Sequence, residues 1–275
     1  LAARGVEPAL WRELPADTRA GVLDAVQRRF TEVVEPIPFA LEGRLYRASF
    51  AREDVRFPFR PVTHHPLGLD GAGRDVLARL LYGLRTSMTF GMILVAASML
   101  VGTLFGAMQG YHGGRVDLVG QRLLEIWDSL PFLYILILVG SIYGRSFLLL
   151  LVCYALFNWI GISYYMRAEF LRLRHQTFVE AARALGLPAF SIMFRHILPN
   201  ALVPLVTFFP FSLVSAIGTL AALDYLGFGL PPPTPSWGEM LSQAQEYRWA
   251  WWLTVYPSLA LFVVMLLGVF VGEGV

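Results

Sequence analysis

Lysine is absent from this chain: all 22 basic residues are arginine. A phosphate-cradling P-loop needs a lysine behind its glycines to reach the β- and γ-phosphates, so any ATP that powers this protein binds to another chain. Cysteine is nearly absent as well. Cys153 stands alone in an apolar run, which excludes a disulfide framework and a thiolate metal site. Charge is scarce, at 15% of 275 residues with a net charge of +2 and no long run of one sign, so a nucleic-acid partner has no support. Neither His-Glu-x-x-His nor Gly-x-Ser-x-Gly occurs, which leaves a membrane-embedded hydrolase without its metal ligands or nucleophile elbow. His64 and His65 adjoin each other, but no third metal ligand lies near them in sequence.

Apolar residues, by contrast, make up 56% of the chain. They gather into runs of about 20, the length that crosses a bilayer, so the chain reads as a polytopic, all-α membrane protein. Spans are expected at 88–110, 146–166, 201–223 and 249–271. A shorter run at 130–142 is expected to begin inside the polar turn before it. The first span is dotted with Gly91, Gly102 and Gly106, small residues that let helices approach closely in lipid. Pro204 and Pro210 interrupt the fourth, and Trp249, Trp251 and Trp252 stand where an aromatic belt would anchor the last. Glu125 and Asp128 lie at the start of the short span, where ionisable groups face a bundle interior or pathway, or simply cap and snorkel.

Residues 1–85 are polar and read as an extracytoplasmic segment ahead of a transmembrane domain at 86–275. Asp17 or Thr18 is a candidate cap for a short helix bearing Leu23, Val26 and Phe30 on one face, a strand is expected around 44–50, and prolines break up the rest. The loop at 167–199 holds Arg167, Arg172, Arg174, Arg183 and Arg195 against Glu169 and Glu180, so the positive-inside rule places it in the cytoplasm. Counting outward puts 111–128 inside, and 224–248 and 1–85 outside. An outer N-terminal segment needs a further span before Leu1 to carry it across.

The loop's sequence is Glu180-Ala181-Ala182-Arg183-Ala184-Leu185-Gly186, followed downstream by His196-Ile197-Leu198-Pro199-Asn200. Gly186 with Pro188 ends one thin, Ala-rich helix. A second is expected over 191–198, with Pro199 opening the next span. A thin helical hairpin at the membrane surface is shaped to enter a groove on another protein, with Glu180 and the arginines as orienting contacts. His196 reads as structural.

These residues resemble the EAA motif of binding-protein-dependent ABC importers: Glu-Ala-Ala, a glycine four residues on, then His-hydrophobic-Leu-Pro. His65-Pro66-Leu67-Gly68 through Asp70, Gly73, Arg74 and Asp75 is similar to the segment before the second span of C-type dipeptide and oligopeptide permeases. Pro232 to Gly238, including Trp237, is similar to their outer loop, and the long segment before His64 makes the chain most like the YejE-type subgroup, implicated in import of peptides and of microcin C. The resemblance covers residues 64–274. It implies a type I, MetI-like transmembrane domain of six spans in the bacterial inner membrane. It also implies a second permease, two ATP-binding subunits or one fused ATPase that carry ATP and Mg, and an extracytoplasmic peptide-binding protein, with no cofactor in this chain. On the same grounds Glu180, Ala181, Ala182, Arg183, Gly186, His196 and Pro199 are expected to couple to the ATPase, and Asp70, Gly73, Arg74, Asp75 and Trp237 to make extracytoplasmic contacts. The alternative function is an ion-coupled secondary transporter, which would place charge or broken helices at mid-membrane and show paired repeats.

Overall fold

In the computed structural model, residues 57–274 are described, together with 37–41, 44–48 and the single positions 17 and 20. The amphipathic face expected from Leu23, Val26 and Phe30 lies outside the described residues. The chain divides into two units, 1–56 and 57–275.

In the first unit, β1 (Ile37–Leu41) pairs antiparallel with β2 (Arg44–Ala48), Ile37 opposite Ala48 and Leu41 opposite Arg44. β2 is the strand expected around 44–50. Its partner was hidden by Pro36 and Pro38, which read as loop although an edge strand tolerates proline.

The second unit is helical. α1 (Val76–His112) begins where the Asp75 carboxylate accepts the Ala78 N–H at 2.8 Å, an N-cap. Its 37 residues span about 55 Å, well beyond a bilayer core, so the expected span at 88–110 is only its inner part. α2 (Gly114–Asp128) and α3 (Phe132–Tyr143) meet at a 63° bend before Pro131. The short apolar run is therefore one half of a bent helix pair, because the residue ahead of a proline is pushed out of the helical region. α4 (Phe147–Leu173) starts at the Ser146 cap, and α5 (Thr177–Ala184) is short.

α6 (Ala189–Tyr225) revises the expected hairpin. The second hairpin helix is not separate from the span, because Ile192–Ile197 is a π-helix that runs directly into Leu198–Tyr225. Pro199 supplies the reason. It has no N–H to give Arg195, so the turn before it widens and the Leu198 N–H reaches five residues back, to Met193 O. The helix then continues through Pro204 and Pro210. α7 (Trp237–Glu246) is capped by Ser236, and α8 (Trp252–Gly274) closes the described chain.

α1, α4, α6 and α8 are each long and apolar enough to span a membrane, and the α2–α3 pair makes up to five spans. Leu100, Val203, Phe262 and Phe270 are among many large apolar side chains left exposed, a surface suited to lipid and not to water. α1 and α4 are the most closely packed pair. A Cβ on Gly102, Gly106 or Gly110 would come within 2.6, 2.5 and 2.5 Å of the carbonyl oxygens of Trp159, Ser163 and Arg167, so the two backbones touch along three successive turns.

Candidate functional site

The polar hairpin forms because its first helix ends in a complete Schellman cap. The Leu187 N–H bonds Ala182 O at 3.2 Å and the Gly186 N–H bonds Arg183 O at 2.9 Å, with Gly186 at φ +75°. Glycine adopts that φ without the strain an ordinary L-residue meets there, which is why the turn falls there. Inward-facing residues fix the hairpin to the bundle. Val179 and Ala182 are buried with Met166, Phe170 and Leu173 of α4, and Ile192, Met193 and Ile197 join the same cluster from α6. Ala182 is small enough to let α5 lie flat on that surface.

The outward side is unlike the rest of a polar loop. Leu185 is 80% and Phe190 72% exposed, flanked by exposed Phe178 and Leu187, with Glu180 and Ala181 beside them. Arg183 lies over the Tyr111 ring, 5.4 Å from its centroid, which orients the charge at the rim of this apolar tip. His196 is half-buried and its carbonyl accepts from Asn200 Nδ2 at 2.9 Å, while Pro199 is exposed. A bidentate pair between Arg167 and Asp117 ties α4 to α2 beside the hairpin. Of the residues expected to couple, Glu180, Ala181, Arg183 and Gly186 are on the free surface. Ala182 is turned inward as packing.

At the opposite end, residues 57–75 fold over the start of α1 and against α7. The Asp70 carboxylate is fully buried and accepts the backbone N–H groups of Ala72 and Arg74 at 2.9 and 2.8 Å and Arg74 Nε at 2.7 Å. Arg74 and Arg79 both donate to Glu239 of α7, and Arg79 Nε stands 3.4 Å from Asp70 without the alignment of a hydrogen bond. Gln243 completes the tie by donating to Glu239 and accepting the Gly71 N–H, both at 2.9 Å. Burial raises the Asp75 carboxyl, but hydrogen bonds from the Ala78 N–H and His65 outweigh it and leave Asp75 below the usual carboxylate range.

Two residues expected to contact other proteins here are thus turned inward. Asp70 is sealed in this ion cluster, and Trp237 is buried with its Nε1–H on Leu80 O at 3.0 Å, its ring filling the space a Cβ on Gly83 would need. Gly73, Arg74 and Asp75 remain half-buried. Trp252 is buried too, donating to Leu69 O at 3.2 Å, so Trp249 and Trp251 alone stay exposed in the expected belt.

Sequence reasoning missed three charged residues that organise this end. Arg79 and Glu239 lie far apart in sequence and match no motif. Asp224, buried at the end of α6, accepts the Leu230 N–H at 2.6 Å and the Ser236 hydroxyl at 2.5 Å, folding the loop between α6 and α7 back so that α7 can pack. Its one visible signal is a lone acid directly after an apolar run.

With this geometry in hand, residues 102–275 match the family described as binding-protein-dependent transport system inner membrane components. The chain belongs to that family. It is 49% identical over 209 residues, 76% of its length, to the peptidoglycan transport system permease protein YejE of Agrobacterium fabrum, and spans 55% of that relative. It is 33% identical to the oligopeptide transport system permease protein OppC of Haemophilus influenzae, covering 77% of this chain and 68% of that one. Its fold is that of a permease chain in inward-facing structures of the MetNI methionine ABC transporter, with a TM-score of 0.56 at 16% identity over 72% of this chain and 96% of the other. The all-α, MetI-like class expected from the motifs is the class found. Nothing in these likenesses favours an ion-coupled transporter.

Proposed function

We propose that this chain is a permease subunit of an ATP-driven peptide importer in the bacterial inner membrane, and that the hairpin of α5 and the start of α6 couples it to an ATP-binding subunit. The observation that carries the reading is the hairpin itself. It has a rigid capped turn, an inner face welded to α4 and α6, and an outer face presenting Leu185, Phe190, Phe178 and Leu187 with Glu180 and Arg183 at the edge. Exposed aliphatic and aromatic anchors ringed by charge make the core and rim of a protein interface. Because Ile197 passes directly into the membrane helix, a push on the tip is delivered to α6 as a rigid-body motion.

In this reading ATP and Mg are held by partner chains, two ATPase subunits or one fused protein. A second permease shares the path, and an extracytoplasmic binding protein delivers substrate. The hairpin lies on the cytoplasmic side, and 57–75 and α7 on the outer side. Nucleotide moves the inward–outward equilibrium only by its differential affinity for the two states, about 5 kcal/mol for a nearly complete switch. Peptide as the cargo is supported by the oligopeptide relative, and microcin C by the motif resemblance to the YejE-type subgroup. The test is uptake of labelled oligopeptides by cells with and without this chain, with microcin C sensitivity alongside. Loss of energised uptake together with microcin resistance is expected, and unchanged uptake contradicts the reading.

A further inference from the structure

Three arginines from the 167–199 segment converge on the turn that joins α1 to α2. In this turn, Tyr111 to Gly114, Gly113 and Gly114 stand at φ +63° and +53°, a reversal that brings α2 back alongside α1. Gln109, buried in the last turn of α1, accepts an Nε2–H of Gln121 on α2 at 2.6 Å, and its side chain fills the space a Cβ on Gly120 would need. Arg167 of α4 holds Asp117 through its bidentate pair. Arg174, directly after α4, points Nη1 at Gly110 O and Tyr111 O, both at 3.4 Å, and lies where a Cβ on Gly113 would go. These carbonyls are among the last four of α1, which have no partner inside the helix, and a cation suits the negative end of its dipole. The turn is therefore one body with α1, α2 and α4.

Arg183 is the third, and it belongs to the hairpin. Its guanidinium lies 5.4 Å from the centroid of the half-buried Tyr111 ring and makes no ion pair among the described residues. The rest of α5 is held by Val179 and Ala182 against apolar side chains of α4 and α6. Apolar contact is non-directional, so it keeps α5 on the bundle without fixing its register or rotation there. A cation over the face of a ring is directional. We infer that Tyr111 is a positioning residue of the coupling hairpin: it sets the register of α5, so that a push at the tip reaches the α1–α2 turn and α4 as well as α6. The inference rests on the coupling reading.

The assembled transporter, reconstituted in vesicles with its ATP-binding subunits and binding protein, gives the readout: ATP hydrolysed per labelled oligopeptide imported. Tyr111→Phe keeps the ring and is expected to leave this ratio unchanged. Tyr111→Leu removes the ring face and is expected to raise it about two- to fivefold, the factor that an exposed cation–π contact carries. Arg183→Met breaks the same contact from the other side, so adding Tyr111→Leu to it is expected to change nothing further, whereas a ring that served packing alone would raise the ratio in both backgrounds. Tyr111→Met carries the same test if Tyr111→Leu does not assemble. A wild-type ratio in the ringless variants, a Tyr111→Phe that behaves like them, or an equal effect of Tyr111→Leu with and without Arg183 overturns the inference. Failure of the coupling reading is seen separately, as absence of a cross-link between Leu185→Cys and the ATP-binding subunit.

Discussion

At the scale of single residues, Gly186 and the buried charges make opposite demands. A Cβ on Gly186 would meet nothing within 4 Å, so a larger side chain there clashes with none of the described residues. The penalty is backbone strain at φ +75°, about 1–2 kcal/mol for an ordinary L-residue. Gly186→Asn, which tolerates that conformation, is expected to retain most peptide uptake, whereas Gly186→Val is expected to abolish it while the melting temperature of the detergent-solubilised protein stays within a few degrees. Uptake measured beside thermal unfolding checks both. At the other end, Arg79 is 5% exposed between two carboxylates, one of them fully buried. Removing one partner of a buried ion cluster costs about 3–5 kcal/mol. Arg79→Met is therefore expected to lower the melting temperature sharply, and Arg79→Met with Asp70→Asn to recover part of the loss, a coupling that a double-mutant cycle reads directly.

At the scale of elements, the contact between α1 and α4 is set by absent side chains. A Cβ on Gly106 would lie 2.5 Å from Ser163 O and 2.8 Å from Arg167 N, both backbone atoms that cannot turn aside. Gly106→Ala is expected to push the helices apart and destabilise the subunit by about 1–3 kcal/mol. Gly161→Ala, where a Cβ meets nothing within 4 Å, is expected to be neutral or slightly stabilising. Thermal unfolding of the two variants under one condition checks the contrast. The π-turn at 192–197 makes a different demand. Pro199→Ala restores the N–H that Arg195 O lacks, so the turn is expected to tighten to α-helix and rotate the hairpin against α6. The expected readout is a rise in ATP hydrolysed per peptide imported, with subunit assembly unchanged.

At the scale of the whole molecule, apolar run length was enough to place the four long spans, because it follows from local composition. Gly186 was legible as a helix stop since a left-handed cap leaves a glycine in the sequence. The helix from 189 straight through to 225 was not legible. Proline suggests a boundary, and only the backbone shows the wider turn that absorbs it. Asp70 and Trp237 read as outward contacts because polar and aromatic residues in a loop carry no mark of what covers them. Their partners Arg79, Glu239 and Gly83 come from distant stretches that only the fold brings together.

The unit from 57 onward is then a stiff bundle with a handle. α1 and α4 are locked by backbone contact, and the loops around α7 are tied by buried charge. The tip at Leu185 and Phe190 is, among the described residues, the exposed apolar surface nearest the arginine-rich end. The most direct test replaces Cys153 with serine, introduces Leu185→Cys, and asks which protein a short thiol cross-linker captures in the working transporter. A cross-link to the ATP-binding subunit that forms in active transporter and is lost when that subunit is omitted is expected. A transporter that imports peptide at full rate while Leu185→Cys never reaches that subunit, or reacts from the side of the membrane opposite the ATPase, contradicts the account.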